Sequence, residues 1–309
     1  MDVVTLLPSA TEIVYALGIE PVGVSHECDY PPAAREKPSV NYSHVDPDAT
    51  SAEINEQVAA AERDHGGVYG IHTDLLADLD PDVIVTQGMC DVCAIDTVVV
   101  EAAVDNCGLD AEIVTTDPHS LADVFEDVRG IGAVLGREER AIELVADMRT
   151  RVAAVETTAS RADDRPATLV LDWLDPAMVA GHWMPEIVER AGGKPLCSEP
   201  GERSRPRSWE RLHDAAPEVL IAAPCGFDIE QTAANLDDLT GRPGWENIPA
   251  VRSGRAYAMD GHGYANRPGP RLVDTLEAVA GLLHPDLFDA PAPDVAVPIA
   301  DLPAGTPNQ

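Results

Sequence analysis

Lysine occurs only twice in this chain, at Lys37 and Lys194, and Lys plus Arg total 21 against 54 Asp plus Glu. Nucleic-acid binding needs clustered cations to displace phosphate counterions, so a net charge of −33 argues against that class of partner. Aromatic residues are also few, at 4% of the chain, which gives weight to any that gather beside a polar motif. No apolar run approaches the ~20 residues that span a bilayer, so no direct membrane insertion is expected. Met1-Asp2 leads straight into Val3-Val4-Thr5-Leu6-Leu7, with no basic n-region, twin arginine or lipidated cysteine. A cytoplasmic location is therefore expected as written, and an extracellular, membrane-associated one if the N-terminus is truncated. Gly-x-Gly-x-x-Gly, Walker, Gly-x-Ser-x-Gly and His-Glu-x-x-His signatures are all missing, so the chain reads as a non-enzyme that requires no cofactor. Six cysteines spread over 309 residues fit free thiols in a reducing compartment better than a disulfide framework.

What is present is a normal apolar fraction of 45% with intact periodicity. The acids are scattered through every segment, so they read as the coat of a folded surface. Such a surface repels itself in dilute buffer and is tolerated in salt, where the Debye length falls to about 3 Å at 1 M. The first part alternates strands and helices: strand Val3 to Leu7, a helix to Leu17, strand Pro21 to Ser25, helices from Ser51 and Asp74, strand Asp82 to Thr86, a helix to Asn106 and strand Glu112 to Thr115. Alternation of this kind predicts a parallel sheet covered on both faces. Two helical stripes follow, Leu121 to Leu135 and Ile142 to Val155, the second in a helix over Arg137–Ala159 about 35 Å long. The βα pattern then restarts at Thr168 and closes with a helix over Arg271–Leu283. The reading is an α/β chain of two Rossmann-like βα lobes, 1–118 and 161–288. An interlobe helical segment, 119–160, joins them, and a loosely packed Pro/Ala/Asp-rich tail, 289–309, follows.

In open α/β sheets ligands sit beyond the carboxyl ends of strands, and that rule selects the candidate residues. After the first strand come Pro8-Ser9-Ala10-Thr11, where a helix N-terminus can hold an anionic or carbonyl group, or Ser9 can simply cap the helix. After the second comes His26-Glu27-Cys28-Asp29-Tyr30, mixing soft and hard metal-ligand types on one loop. After the third comes Gln87-Gly88-Met89-Cys90-Asp91-Val92-Cys93, whose Cys-x-x-Cys is half a zinc site, a redox pair or two structural thiols. In the second lobe Trp173, His182, Trp183 and Phe227 follow strands, and the loop Gly261 to Pro270 presents Tyr264, Asn266 and Arg267. Trp173, Trp183 and Trp209 lie near strand-to-helix junctions, an apolar wall for a flat ligand or an internal packing cluster.

Leu7-Pro8-Ser9-Ala10-Thr11-Glu12-Ile13, continued by Ala16-Leu17-Gly18 and Val22-Gly23-Val24-Ser25, resembles the iron-complex and vitamin B12 class of ABC-transporter substrate-binding proteins. Ser25 to Pro31, Thr86 to Ala94, Asp172 to Gly193, Pro224-Cys225-Gly226-Phe227 and Asn266 to Arg271 extend the likeness to a cobalamin-binding subgroup often met without a signal peptide. The resemblance implies a class III substrate-binding fold with a long rigid interlobe helix. It also implies a corrinoid, haem or siderophore held in the interlobe cleft, and an ABC permease and ATPase as partners. A corrinoid would then lie against Trp173, Trp183 and Tyr264, with Ser9, Thr11 and His26 opposite. Tyr30, Gln87, Met89, His182, Phe227, Asn266 and Arg267 complete the expected ligand set. The alternative is a thiol- and His-dependent metal or redox protein using Cys90, Cys93, Cys28 and His26.

Overall fold

The computed structural model describes residues 1–47, 49–88, 95 and 97–302. The chain divides into two compact units. The first comprises Met1–Ala49, Glu53–Pro118 and Ala122–Asp147; the second comprises Thr50–Ala52, His119–Leu121 and Met148–Gln309. This division differs from the boundaries expected at 118, 160 and 288. The helix Glu138–Ala159, 22 residues and about 33 Å long, is not set apart but begins in one unit and ends in the other.

In the first unit, β1 (Val3–Thr5), β2 (Gly23–Val24), β5 (Val83–Gln87) and β6 (Glu112–Thr116) form a parallel sheet in the order β2-β1-β5-β6. The chain runs from β1 to one side and later returns to the other, so the loops leaving β1 and β5 diverge at a topological switch point. β1 and β5 are buried along their whole length, as continuous Val/Ile runs require in a parallel sheet. Val4, Leu6, Ile84, Ile95, Val100 and Val104 build this unit's core with Val40 and Leu76. A separate antiparallel pair, β3 (Asn41–Ser43) with β4 (Tyr69–Ile71), has no counterpart in the sequence reading. Three residues per strand are too few for an alternating pattern to declare itself. At Gly70 the Tyr42 ring lies over the backbone, 2.3 Å from where a Cβ would stand, so a larger residue there would displace that ring.

The second unit holds β7 (Ala167–Trp173), β8 (Met178–Val179), β9 (Lys194–Pro195), β10 (Arg205–Pro206), β11 (Val219–Ala222), β12 (Ala256–Met259) and β13 (Ala296–Pro298). Their order is β10-β8-β7-β11-β12-β13, with β9 parallel to β7. β7, β11 and β12 are mutually parallel, while β8 pairs antiparallel with both β7 and β10 and β13 pairs antiparallel with β12, so the sheet is mixed rather than wholly parallel. Leu169, Leu171, Leu220, Ala222, Leu239 and Ile248 are its buried centre.

The tail is not wholly loose. Residues 296–298 pair with β12, Ala296 opposite Met259 and Pro298 opposite Tyr257, and Val295 and Ala296 are buried. Proline belongs at such a sheet edge, where its missing N–H leaves no ladder bond unmade. Composition alone misread this segment because a short edge strand needs few apolar residues once a partner edge is available.

Candidate functional site

In the second unit the loops leaving β7, β11 and β12 are stitched together. A shift in register between Leu171 and Trp173 marks a bulge at the end of β7, a device that re-aims side chains beside sites. Asp172 accepts a hydrogen bond from Ser204, whose hydroxyl in turn accepts from the Gly181 N–H at 3.0 Å. The Trp173 ring packs on Phe227 with centroids 5.2 Å apart, and its Nε1 donates to Asp175 O. The Phe227 carbonyl accepts from the N–H groups of Gly261 and His262, at 2.9 and 3.0 Å.

Gly261–Ala265 forms a short π-helix, a rare element that recurs at functional sites. Only glycine fits its first position, since a Cβ would lie 2.0 Å from Pro224 O. Asp260 Oδ1 accepts from Gly263 N at 2.7 Å. Burial pushes the Asp260 carboxyl above its ordinary range, against the opposing pull of that hydrogen bond, His262 and Arg267. Burial likewise raises the Tyr264 phenol, opposed by Arg271, whose guanidinium stands 5.5 Å above the Tyr264 ring.

In the first unit, His26 lies just beyond β2. Asn41 Oδ1 accepts from the His26 backbone N–H at 2.8 Å and lies 3.0 Å from Nδ1. A neutral His26 therefore carries its proton on Nδ1 and keeps its Nε2 lone pair, 3.9 Å from Glu27 Oε1. Its ring leans on Tyr69 at 5.5 Å. Thr11 is used internally: its hydroxyl lies 2.6 Å from that of Thr5, 2.9 Å from Cys28 Sγ, and reaches Leu7 O.

A model of the family described as periplasmic binding protein matches residues 3–262. The chain belongs to that family. YvrC of Bacillus subtilis, described as an uncharacterized ABC transporter substrate-binding lipoprotein, is 22% identical over 293 residues, 93% of this chain and 81% of that protein. A haem-binding protein from Pseudomonas aeruginosa superposes with a TM-score of 0.72 at 22% identity, over 95% of this chain and 96% of that one. The vitamin B12-binding protein BtuF of Vibrio cholerae does so with a TM-score of 0.65 at 21% identity, over 91% and 96%. At these identities the superpositions establish the class III, two-unit α/β fold of this periplasmic binding protein.

Burial sorts this binding protein's expected ligand residues into two groups. Trp173, His182, Tyr264 and Asn266 are half-buried, and His26 and Tyr30 are more open. Six others are nearly closed to solvent: Ser9, Thr11, Gln87, Trp183, Phe227 and Arg267. Trp183 is not a free face, because it is 5% exposed and its Nε1 donates to Ala265 O at 2.9 Å. Arg267, at 3% exposed, reaches His262 O at 2.6 Å and lies 2.8 Å from His262 Nε2, so it braces its own loop. Asn266 donates to Ala223 O and Gly261 O, which ties β11 to the π-helix.

Ser9 caps nothing, since the helix Pro8–Ala16 starts from Leu7 without a side-chain cap. Cys28 is a core thiol packed with Val24, Ala34 and Tyr15. Met89, Cys90 and Cys93 lie outside the described residues. Among the described residues no three of His, Cys, Asp and Glu converge on a metal position. The reading from motifs missed Asn41, Tyr69, Ser204 and His119. Of these only His119, shortly after β6, stood where the strand-end rule would have found it.

Proposed function

We propose that this protein is the substrate-binding component of an ABC transporter and that its ligand is a flat metal chelate, a corrinoid of the cobalamin type in the first place. Family membership over residues 3–262 carries the reading. Trp173, backed by the buried Phe227 ring, and Tyr264 support a planar ligand, each a half-buried aromatic beyond a strand end. Covering about 50 Å² of the half-buried Trp173 with a macrocycle face is worth about 1.3 kcal/mol. The proposed role is binding and release, with no covalent step and with a permease and ATPase as partners. Among the described residues no helix is long and apolar enough to cross a membrane. A transporter component meets its ligand outside the cytoplasm, which departs from the location expected from residues 1–7; fractionation of the native host decides between the two.

The test is titration with cyanocobalamin, hemin and a ferric hydroxamate, following tryptophan fluorescence and chelate absorbance. Saturable one-to-one binding of one chelate below ~10 µM, weakened about tenfold in Trp173→Ala, supports the proposal. No change with any of the three up to ~1 mM sinks it.

A further inference from the structure

Two histidine rings meet, tilted to one another, in the second unit. His119 follows β6 in sequence, and His182 precedes the helix Met184–Arg190. Their Nδ1 atoms are 3.3 Å apart, with ring centroids at 5.2 Å and planes inclined by 34°. That separation is long for a hydrogen bond to nitrogen, whose optimum is about 3.0 Å. It matches another geometry. Two imidazole nitrogens each about 2.05 Å from a tetrahedral Zn²⁺ stand about 3.3 Å from one another.

We propose that His119 and His182 chelate a divalent transition-metal ion of the zinc class through their Nδ1 atoms. Imidazole suits Zn²⁺, Cu²⁺ and Ni²⁺, and softer or harder ions are poorly matched to it. Among the described residues no third His, Cys, Asp or Glu joins the pair, so the proposal assigns the ion two protein ligands.

The backbone holds His182 ready for the task. Its φ is +52°, in the left-handed region that non-glycine residues seldom occupy. Two hydrogen bonds keep it there: its own N–H to Glu202 O at 2.5 Å, and the Gly201 N–H to its carbonyl at 2.9 Å. Strain of this kind persists where surrounding structure over-determines it, and it concentrates at functional positions. The ring also packs against Trp183, centroids 5.7 Å apart, and Trp183 is itself fixed by its bond to Ala265 O. Both histidines are half-buried, so neither ring must be extracted from the core to meet an ion. The site stands independently of the chelate proposed above, since a bare cation suffices to fill it.

The experiment uses Zn²⁺ alone, titrated calorimetrically at pH 7.5 into the full chain carrying Cys90→Ser, Cys93→Ser, Cys107→Ser, Cys197→Ser and Cys225→Ser, which leaves only the buried Cys28 thiol. One ion per chain is expected, with a Kd below ~10 µM. His119→Ala and His182→Asn are each expected to weaken it at least tenfold; Asn keeps the left-handed backbone open to residue 182. The ¹H–¹⁵N signals of both Nδ1 atoms should shift together at one equivalent. His213→Ala is the control and should bind as the parent does. Circular dichroism confirms that each variant is folded, with His119→Gln replacing any that is not. Absence of binding up to ~1 mM overturns the proposal, as does affinity unchanged in either histidine variant or lost in the His213 control.

Discussion

Asp127 offers a sharp test of how burial acts in this protein. It sits on the helix Leu121–Val134, and its Oδ2 is buried with no hydrogen-bond partner among the described residues. Desolvation first, then the charges of Asp123 and Asp117, push its carboxyl from 3.8 up to about 7. Below pH 3.8 both folded and unfolded chains hold the proton, and the residue carries no penalty. Between 3.8 and about 7 the folded chain retains a proton that the unfolded chain has released, so stability falls as pH rises. Above 7 the full penalty applies. A shift of about three units corresponds to about 4 kcal/mol, and allowance for the carboxylate's partial contact with water reduces this to about 2.

Asp127→Asn removes the charge at nearly constant volume. Thermal and urea unfolding at pH 4, 6 and 8 should show the variant level with the parent at pH 4. At pH 8 it should be more stable by about 2 kcal/mol, or roughly 4–8 °C in Tm for the unit that contains it. Because desolvation outweighs the two neighbouring charges, most of the gain should survive 1 M salt, where the Debye length is about 3 Å. A gain of equal size at pH 4 and pH 8, or none at pH 8, would refute the reasoning. The first outcome would mean a packing effect and the second a solvated carboxylate.

Other substitutions separate packing from binding. Trp183→Ala should cost about 3–5 kcal/mol in chemical denaturation, because it empties a buried volume and orphans Ala265 O. Trp173→Ala, half-exposed, should spare stability and act on chelate affinity. Gly261→Ala forces a Cβ to within 2.0 Å of Pro224 O, so a loss of about 3 kcal/mol or failure to fold is expected in melting experiments. Thr11→Val keeps the shape of the core but strips the hydroxyl that meets Thr5, Cys28 and Leu7 O; about 1–3 kcal/mol should be lost in urea titration. Ending the chain at Asp294 removes β13 and uncovers the edge of β12, which light scattering should register as self-association.

Much of the fold was already written in local pattern. Val83-Ile84-Val85 and Val219-Leu220-Ile221 are apolar runs too short for helices and bounded by turn residues, and both became buried parallel strands. The stripe Leu121, Val124, Val128, Ile131 likewise faces inward on one helix. A strand's carboxyl end can be located from sequence as soon as the strand is, so candidate residues could be named.

What local pattern could not supply was burial and partnership, because both depend on segments distant in the chain. Thr11 and Ser9 read alike as polar residues at a helix start, yet Thr11 is spent on Thr5 and Cys28. Trp173 and Trp183 read alike as wall, yet only the latter is locked inward, by a carbonyl 82 residues away. The tail could be judged only once β12 offered an unpaired edge, and the His119–His182 pair exists only because the fold closes a gap of 63 residues. Periodicity is a property of neighbours and is therefore legible in one dimension. Hydrogen-bond satisfaction and desolvation are properties of a packed volume, and tertiary structure alone decides them.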